Sequence, residues 1–209
     1  MAPKTHFYRA EDGHGLKHNP FSAMIAPRPI GWISSLSPDG NVNLAPYSFF
    51  NGFNYTPQII GFSSIGSKDT VQNIQDTGEF CWNFASQALA EKMNLTSAAV
   101  GPDEDEFDLA GIAKGTSRLV KPPYVLESPV VMECRLIEVV QLQTIEKEKI
   151  DTYLVLGQVM GTHISEDCID DGVFSLDKAQ PIVRAGGLAD YYRLTEDNKF
   201  LMERPKVDR

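Results

Sequence analysis

The chain has 209 residues, 42% of them hydrophobic and 22% charged, which fits one soluble domain with a sizeable core. Its formal net charge of −9 comes without a basic cluster, which excludes the counterion-releasing surface needed for nonspecific binding to nucleic acid or anionic lipid. No apolar run approaches the roughly 20 residues of a membrane span, and the start, Met1 to Arg9, lacks the apolar core of a secretory signal, so the expected compartment is cytoplasmic.

Residues 1–20 hold His6, His14 and His18, with Gly13 and Gly15 between them and little periodicity. His14 and His18 stand four apart, but Gly15 is a poor helix residue and Asn19-Pro20 follows, so the spacing predicts a partly extended arm and no metal site. The predicted domain, 21–193, is organised around Arg28 to Phe50. Ile30 to Leu36 is an apolar run carrying small hydroxyls, Pro38-Asp39-Gly40 supplies turn chemistry, and Val42 to Phe50 returns as a second strand. Ser34, Ser35, Asn43, Tyr47 and Ser48 are neutral donors and acceptors that suit a cleft for a planar, heteroatom-rich ligand. An ordinary half-buried hairpin accounts for the same pattern.

Asn51 to Pro57 reads as a connection and Gln58 to Ser63 as a short buried strand. In Gly61 to Thr70, Ser67 precedes Lys68, whereas a nucleotide P-loop requires Gly-Lys-Ser/Thr, so an NTPase is excluded. Glycine and serines still open a helix predicted over 69–76, whose free N–H groups suit an anion, with Lys68 adding a charge and Thr70 a hydroxyl. Simple capping by Ser67 or Asp69 explains the residues equally well. Glu79 to Phe84 alternates as a strand, and Leu89, Met93 and Thr96 mark a helix over 86–96. The acidic stretch Gly101 to Asp108 lacks the alternating ligands of a calcium loop and is predicted to be solvated.

Two long strands, 129–142 and 152–164, flank a charged tip at Glu146 to Lys149. Many strands with one or two short helices predict a barrel rather than a βαβ sheet, and the lack of GxGxxG removes a Rossmann domain. His163 ends the second long strand as either a structural or a functional group. Arg184, among apolar neighbours, is either paired with a carboxylate or aimed at a phosphate or carboxylate ligand. Residues 194–209 form a charged tail. Cys81, Cys134 and Cys168 are odd in number and far apart, against a disulfide framework; the first two read as core, and the third sits in an acidic loop that would raise its pKa.

Taken in order, these fragments resemble the flavin reductase-like, FMN-binding split-barrel family, which includes flavoredoxins and the reductase components of two-component monooxygenases. The match spans roughly Pro20 to Arg193 and rests on Arg28-Pro29, Ile33-Ser34-Ser35, Asp39-Gly40, Asn43 to Phe50, Lys68-Asp69-Thr70, Asn73-Ile74, Glu79-Phe80, Asn83, Ser128-Pro129-Val130, Glu133-Cys134, Gly157-Gln158-Val159, His163-Ile164, Pro181 to Arg184 and Gly186-Gly187. The resemblance implies a mainly β Greek-key split barrel that forms a homodimer, with FMN near the interface. It implies that Trp32, Ile33, Ser34, Ser35, Tyr47, Ser48, Phe49 and Asn51 hold the flavin ring. Ser63, Ser67, Lys68 and Thr70 would take the ribityl chain and phosphate, and Arg28 could help at either end. It leaves two activities open: an enzyme that reduces flavin or another acceptor with NADH or NADPH as co-substrate, with His163 as the catalytic, nucleotide-approaching residue and Arg184 assisting, or a flavoredoxin-like electron carrier reduced by a partner with little NADH or NADPH activity of its own. A monooxygenase or other redox protein would be the partner. Trp32 is bulkier than the residues common at its position in the family.

Overall fold

The computed structural model describes residues 3–101 and 103–206, so the ends of the predicted arm and tail and Pro102 of the acidic stretch lie outside the described residues. A short helix, α1 (Phe21–Met24), leads into the hairpin of β1 (Gly31–Leu36) and β2 (Val42–Tyr47), in antiparallel register with Ser34 opposite Leu44. β3 (Phe50–Tyr55) and β4 (Gln58–Ile65) follow. The predicted helix is α2 (Asp69–Thr77), closed by Gly78 in the left-handed conformation. Next come β5 (Glu79–Asn83), α3 (Ala90–Leu95), α4 (Glu106–Leu109) and the small pair β6 (Lys114–Gly115) and β7 (Tyr124–Val125). The long strands are β8 (Val130–Gln143) and β9 (Lys149–Ile164). A small hairpin of β10 (Ile169–Asp170) and β11 (Val173–Phe174), then α5 (Leu176–Ala179), precede β12 (Ile182–Arg184), which pairs with β13 (Tyr191–Arg193).

Seven strands form one antiparallel sheet in the order β2-β1-β5-β8-β9-β4-β3. Its two edge strands, β2 and β3, are consecutive in the chain, with only Ser48 and Phe49 between them. Edges tied that closely force the sheet to roll up, and the product is a barrel left open along that seam, the split barrel expected from the sequence.

Period-two alternation along β1 divides the interior into two cores. Trp32 packs with Leu44, Met93, Phe107 and Ile182 on one side, while Ile33 packs with Phe62, Val71, Ile74 and Phe80 on the other. Trp32 and Phe80 are wholly buried, and burial of side chains of this size contributes about 2–3 kcal/mol each. Gly157 permits the close fit over Phe80, since a Cβ there would stand 2.4 Å from the ring.

The structure corrects three local expectations. Residues 51–57 are mostly strand β3 rather than a connection; this strand lies open along nearly its whole length, so it lacks the apolar alternation that marks a half-buried strand. The helix predicted over 86–96 is a 3₁₀ turn, Gln87–Leu89, followed by α3. The acidic stretch is not all solvated: Glu106 is buried and accepts a hydrogen bond from Leu44 N at 2.9 Å. Burial pushes its carboxyl above the usual range, against the pull of that backbone donor.

Candidate functional site

The barrel seam opens as a cavity of about 910 Å³. Pro46, Tyr47, Ser48 and Phe49 form the wall at the β2–β3 bend, Ser63 and Ile65 come from β4, and Lys68 stands at the start of α2. The opposite wall joins the end of the N-terminal arm, with His18, and α1, with Ser22, to the loop Gly186 to Asp190. Gly186 allows that closeness: a Cβ on it would lie 2.7 Å from Ala23 Cβ in α1.

Arg28 and Arg184 are opposite members of an isolated antiparallel bridge, each N–H donating to the other's carbonyl oxygen at 2.9 Å. Directly opposed residues in such a bridge project their side chains to the same side, and both arginines line the cavity. Arg28 is buried; its Nη1 donates to Ser22 O, its Cζ lies 5.6 Å from the Phe49 ring centre, and its Nε is buried with no partner. Burial first, and the facing Arg184 second, hold its guanidinium below the ordinary value. Arg184 Nη2 donates to Leu188 O at 3.0 Å, and its Cζ lies 4.7 Å from the Tyr191 ring centre. Among the described residues, Arg28, Arg184 and Lys68 have no carboxylate oxygen within 4.0 Å.

The cavity has two ends. Lys68 also lines a neighbouring cavity of about 350 Å³ with Asn43, Thr70 and Glu106, whereas Arg184 also lines one of about 430 Å³ with Ile30, Met93 and Tyr191. Pro46 and Tyr47 line all three. Lys68 occupies the N-cap position of α2 without a side-chain cap, so the first N–H groups of the helix face outward uncapped by it. Neither Ser67 nor Asp69 caps the helix, the alternative open from the sequence.

Of the residues expected at the site, the fold brings Arg28, Tyr47, Ser48, Phe49, Ser63, Lys68 and Arg184 into one cavity. Thr70 lies beside it, buried, with its hydroxyl accepting from Asn43 Nδ2 at 2.7 Å. Ser67 is exposed next to Lys68 and outside the lining. Asn51 is exposed on β3, where its side chain accepts from Gly52 N at 2.8 Å, and it does not line the cavity.

Trp32, Ile33, Ser34 and Ser35 are not brought there either, for a topological reason. β1 lies between β2 and β5, so the backbone groups of Trp32 to Ser34 are engaged in the sheet on both sides. Their side chains are buried with partners of their own: Trp32 Nε1 donates to Thr96 Oγ1 at 3.0 Å, Ser34 Oγ to Pro123 O at 2.6 Å, and Asn73 Nδ2 to Ser35 Oγ at 3.2 Å. Ile33 belongs to the core against α2. The hydroxyls that looked like cleft groups satisfy the interior.

His163 also stands apart from the cavity lining. Its Nε2 is 2.6 Å from Glu133 Oε1, and its ring packs on Tyr124 at 4.9 Å between centres. Glu133 is buried on β8 and accepts from the backbone N–H groups of Arg118 at 2.8 Å, Leu119, and Val120 at 3.1 Å. Burial opposes its charge, but donation from Arg118, His163 and Leu119 outweighs it and holds the carboxyl below the usual range. His163 therefore helps pin the segment 118–120 to the sheet.

Cys81 and Cys134 are core residues, with burial pushing the Cys81 thiol up to about 12 and Cys134 upward as well. Cys168 is buried too, so burial leads, ahead of Asp167, in raising its pKa. Among the described residues, no three His, Cys, Asp or Glu side chains gather as a metal site, and no helix is long and apolar enough to cross a membrane. The sequence reading missed His18 and Ser22 as cavity residues; the only signal for that wall was the Gly186-Gly187 pair.

A split barrel with a cationic cavity along its seam defines the class, and the chain belongs to the flavin reductase-like family: residues 23–181 match the family model described as "Flavin reductase like domain". An uncharacterized protein of Aquifex aeolicus is 35% identical over 170 residues, 78% of this chain and 83% of its own. Nitrilotriacetate monooxygenase component B from Bacillus cereus superposes with a TM-score of 0.81 at 28% identity, covering 97% of this chain and 98% of that one. The 2-nitrobenzoate 2-nitroreductase NbaA of Pseudomonas fluorescens gives 0.83 at 26% identity, covering 98% and 99%.

Proposed function

We propose that this protein is an FMN-binding oxidoreductase that passes reducing equivalents from NADH or NADPH to bound or exchangeable flavin, or to a downstream acceptor. One observation carries the reading: a chain of net charge −9 gathers Arg28, Lys68 and Arg184 around one cavity, none with a carboxylate oxygen within 4.0 Å among the described residues, against one acidic lining residue, Asp190. Like charges facing one another cost stability, and an anionic ligand compensates that cost. A phosphate dianion suits the Lys68 end, where the uncapped start of α2 and the Ser63 hydroxyl add donors. At the bend, the half-exposed Phe49 ring, with Arg28 5.6 Å from its centre, offers an apolar surface for an isoalloxazine ring, while the Tyr47 ring is packed on Phe62 in the core.

FMN supplies hydride and electron chemistry when bound. The chain's own residues would do the rest: Lys68 would anchor the phosphate, Phe49 would offer an apolar surface to the ring, and Ser48 would offer a hydroxyl at the bend. The names of the two structural neighbours, a monooxygenase component and a nitroreductase, support an oxidoreductase with a monooxygenase or small-molecule acceptor. Two copies pair through the side of β3 that exposes Phe53 and Tyr55, and sedimentation at a single-chain mass would refute that pairing.

The test is an absorbance spectrum of the purified protein, with FMN added if none is bound, repeated without oxygen after NADH or NADPH. A flavin spectrum that bleaches with either nucleotide is the expected result; no uptake of FMN would sink the reading. The engagement of His163 by Glu133 favours a second reading, a flavoredoxin-like carrier reduced by a protein donor. Bound flavin that resists both nucleotides but accepts electrons from such a donor would select it.

A further inference from the structure

We infer that the Arg28/Arg184 pair is a second anion site, distinct from the cofactor phosphate position, and that it takes the carboxylate of a small organic acid bound beside the flavin. This rests on the flavin reading only for what occupies the Lys68 end. FMN carries one phosphate, whereas the cavity has two cationic ends. The Lys68 end has helix N–H groups and the Ser63 hydroxyl, the donors a phosphate needs. The other end has two guanidiniums on one face, one of them buried with an Nε that no group among the described residues satisfies.

Guanidinium forks match the planar, two-oxygen geometry of a carboxylate. Backbone hydrogen bonds of the Arg28–Arg184 bridge fix the two arginines as neighbours, so their closeness is built in rather than a chance of side-chain rotamers. Arg184 carries the lining onward into the cavity of about 430 Å³, where Ile30, Met93 and Tyr191 give an apolar bed and Asn94 a polar group at its edge. An acid with its carboxylate on the arginines would lay its body there, next to the Tyr47–Ser48 wall shared with the main cavity.

Calorimetric titration of benzoate, with benzamide as its neutral counterpart, tests this on the FMN-loaded protein. Benzoate is expected to bind at least about tenfold more tightly than benzamide, the worth of one charge-assisted hydrogen bond. Arg184→Gln should weaken benzoate by at least about tenfold, while lowering FMN affinity less than Lys68→Met does. Arg184→Lys, which keeps the charge and loses the fork, serves if the glutamine variant does not fold and should also weaken benzoate.

Equal binding of benzoate and benzamide would overturn the inference. So would an Arg184 variant that loses FMN as steeply as benzoate, because the arginines would then hold the cofactor phosphate. Inorganic pyrophosphate displacing benzoate at lower concentration would reassign the pair to a dinucleotide bridge and overturn it too. If the protein takes up no FMN, the functional reading falls; benzoate binding to the unloaded chain that disappears in Arg184→Gln would still uphold the carboxylate site, and its absence would remove that as well.

Discussion

Glu133 and Arg28 are both buried charges, and the fold treats them in opposite ways. Around Glu133, three backbone N–H groups and His163 converge on one carboxylate. Around Arg28, the nearest charged neighbour across the bridge is another arginine, and one nitrogen has no partner. A buried charge with a full set of partners is a fastening. One left facing its own sign marks the place where the protein forgoes some stability for something that arrives from outside.

The largest expected effect lies on the fastened side. Glu133→Ala leaves three amide groups and His163 without their acceptor and should cost about 3 kcal/mol or more in urea unfolding; a cost below about 1 kcal/mol would erase the contrast between the regions. On the open side, Lys68→Met should weaken FMN binding by roughly 10- to 100-fold, measured by flavin fluorescence, with the urea midpoint nearly unchanged. Equal losses of stability in both variants would mean that the cavity cation is a fastening as well.

Acid titration sharpens the comparison further. The folded-state pKa of Glu133 lies below its ordinary value of 4.5, so the stability it contributes is complete above that pH and is lost as the pH falls through the depressed value. Glu106 is shifted the other way and loses stability as the pH rises instead. Unfolding curves from pH 6 down to about pH 3 should therefore fall more steeply for the wild type than for Glu133→Gln. The smallest effect belongs to Arg184→Gln: removing one of two facing cations while also losing the Leu188 and Tyr191 contacts should leave stability within about 1 kcal/mol. A larger loss would move Arg184 to the structural side.

Much of the fold was legible because β1, β8 and β9 are apolar runs bounded by turn residues, with β1 buried on both faces, and because Gly78 and Pro38-Asp39-Gly40 punctuate where the chain turns. β3 was not legible, since an edge strand exposed throughout has no buried face to write a pattern. Of the residues expected at the site, Tyr47 to Phe49 at the bend and Lys68 at the start of α2 line the cavity. Ser34 and Ser35 were misplaced because a small hydroxyl serving a buried carbonyl or amide looks the same in sequence as one lining a cleft. Glu106 hid for a related reason: its partner is a backbone N–H group, which leaves no trace in residue identity.

The two-residue link between β2 and β3 sets the aperture of the barrel by covalent geometry. Most clefts between strands widen when hydrogen bonds break, and their width follows the strength of those bonds. Here the mouth is a hinge of fixed span, and Ser48 and Phe49 are both the hinge and part of what a ligand touches. Lengthening that link by even one residue would reset the gauge of the slot while leaving every ladder of the sheet intact.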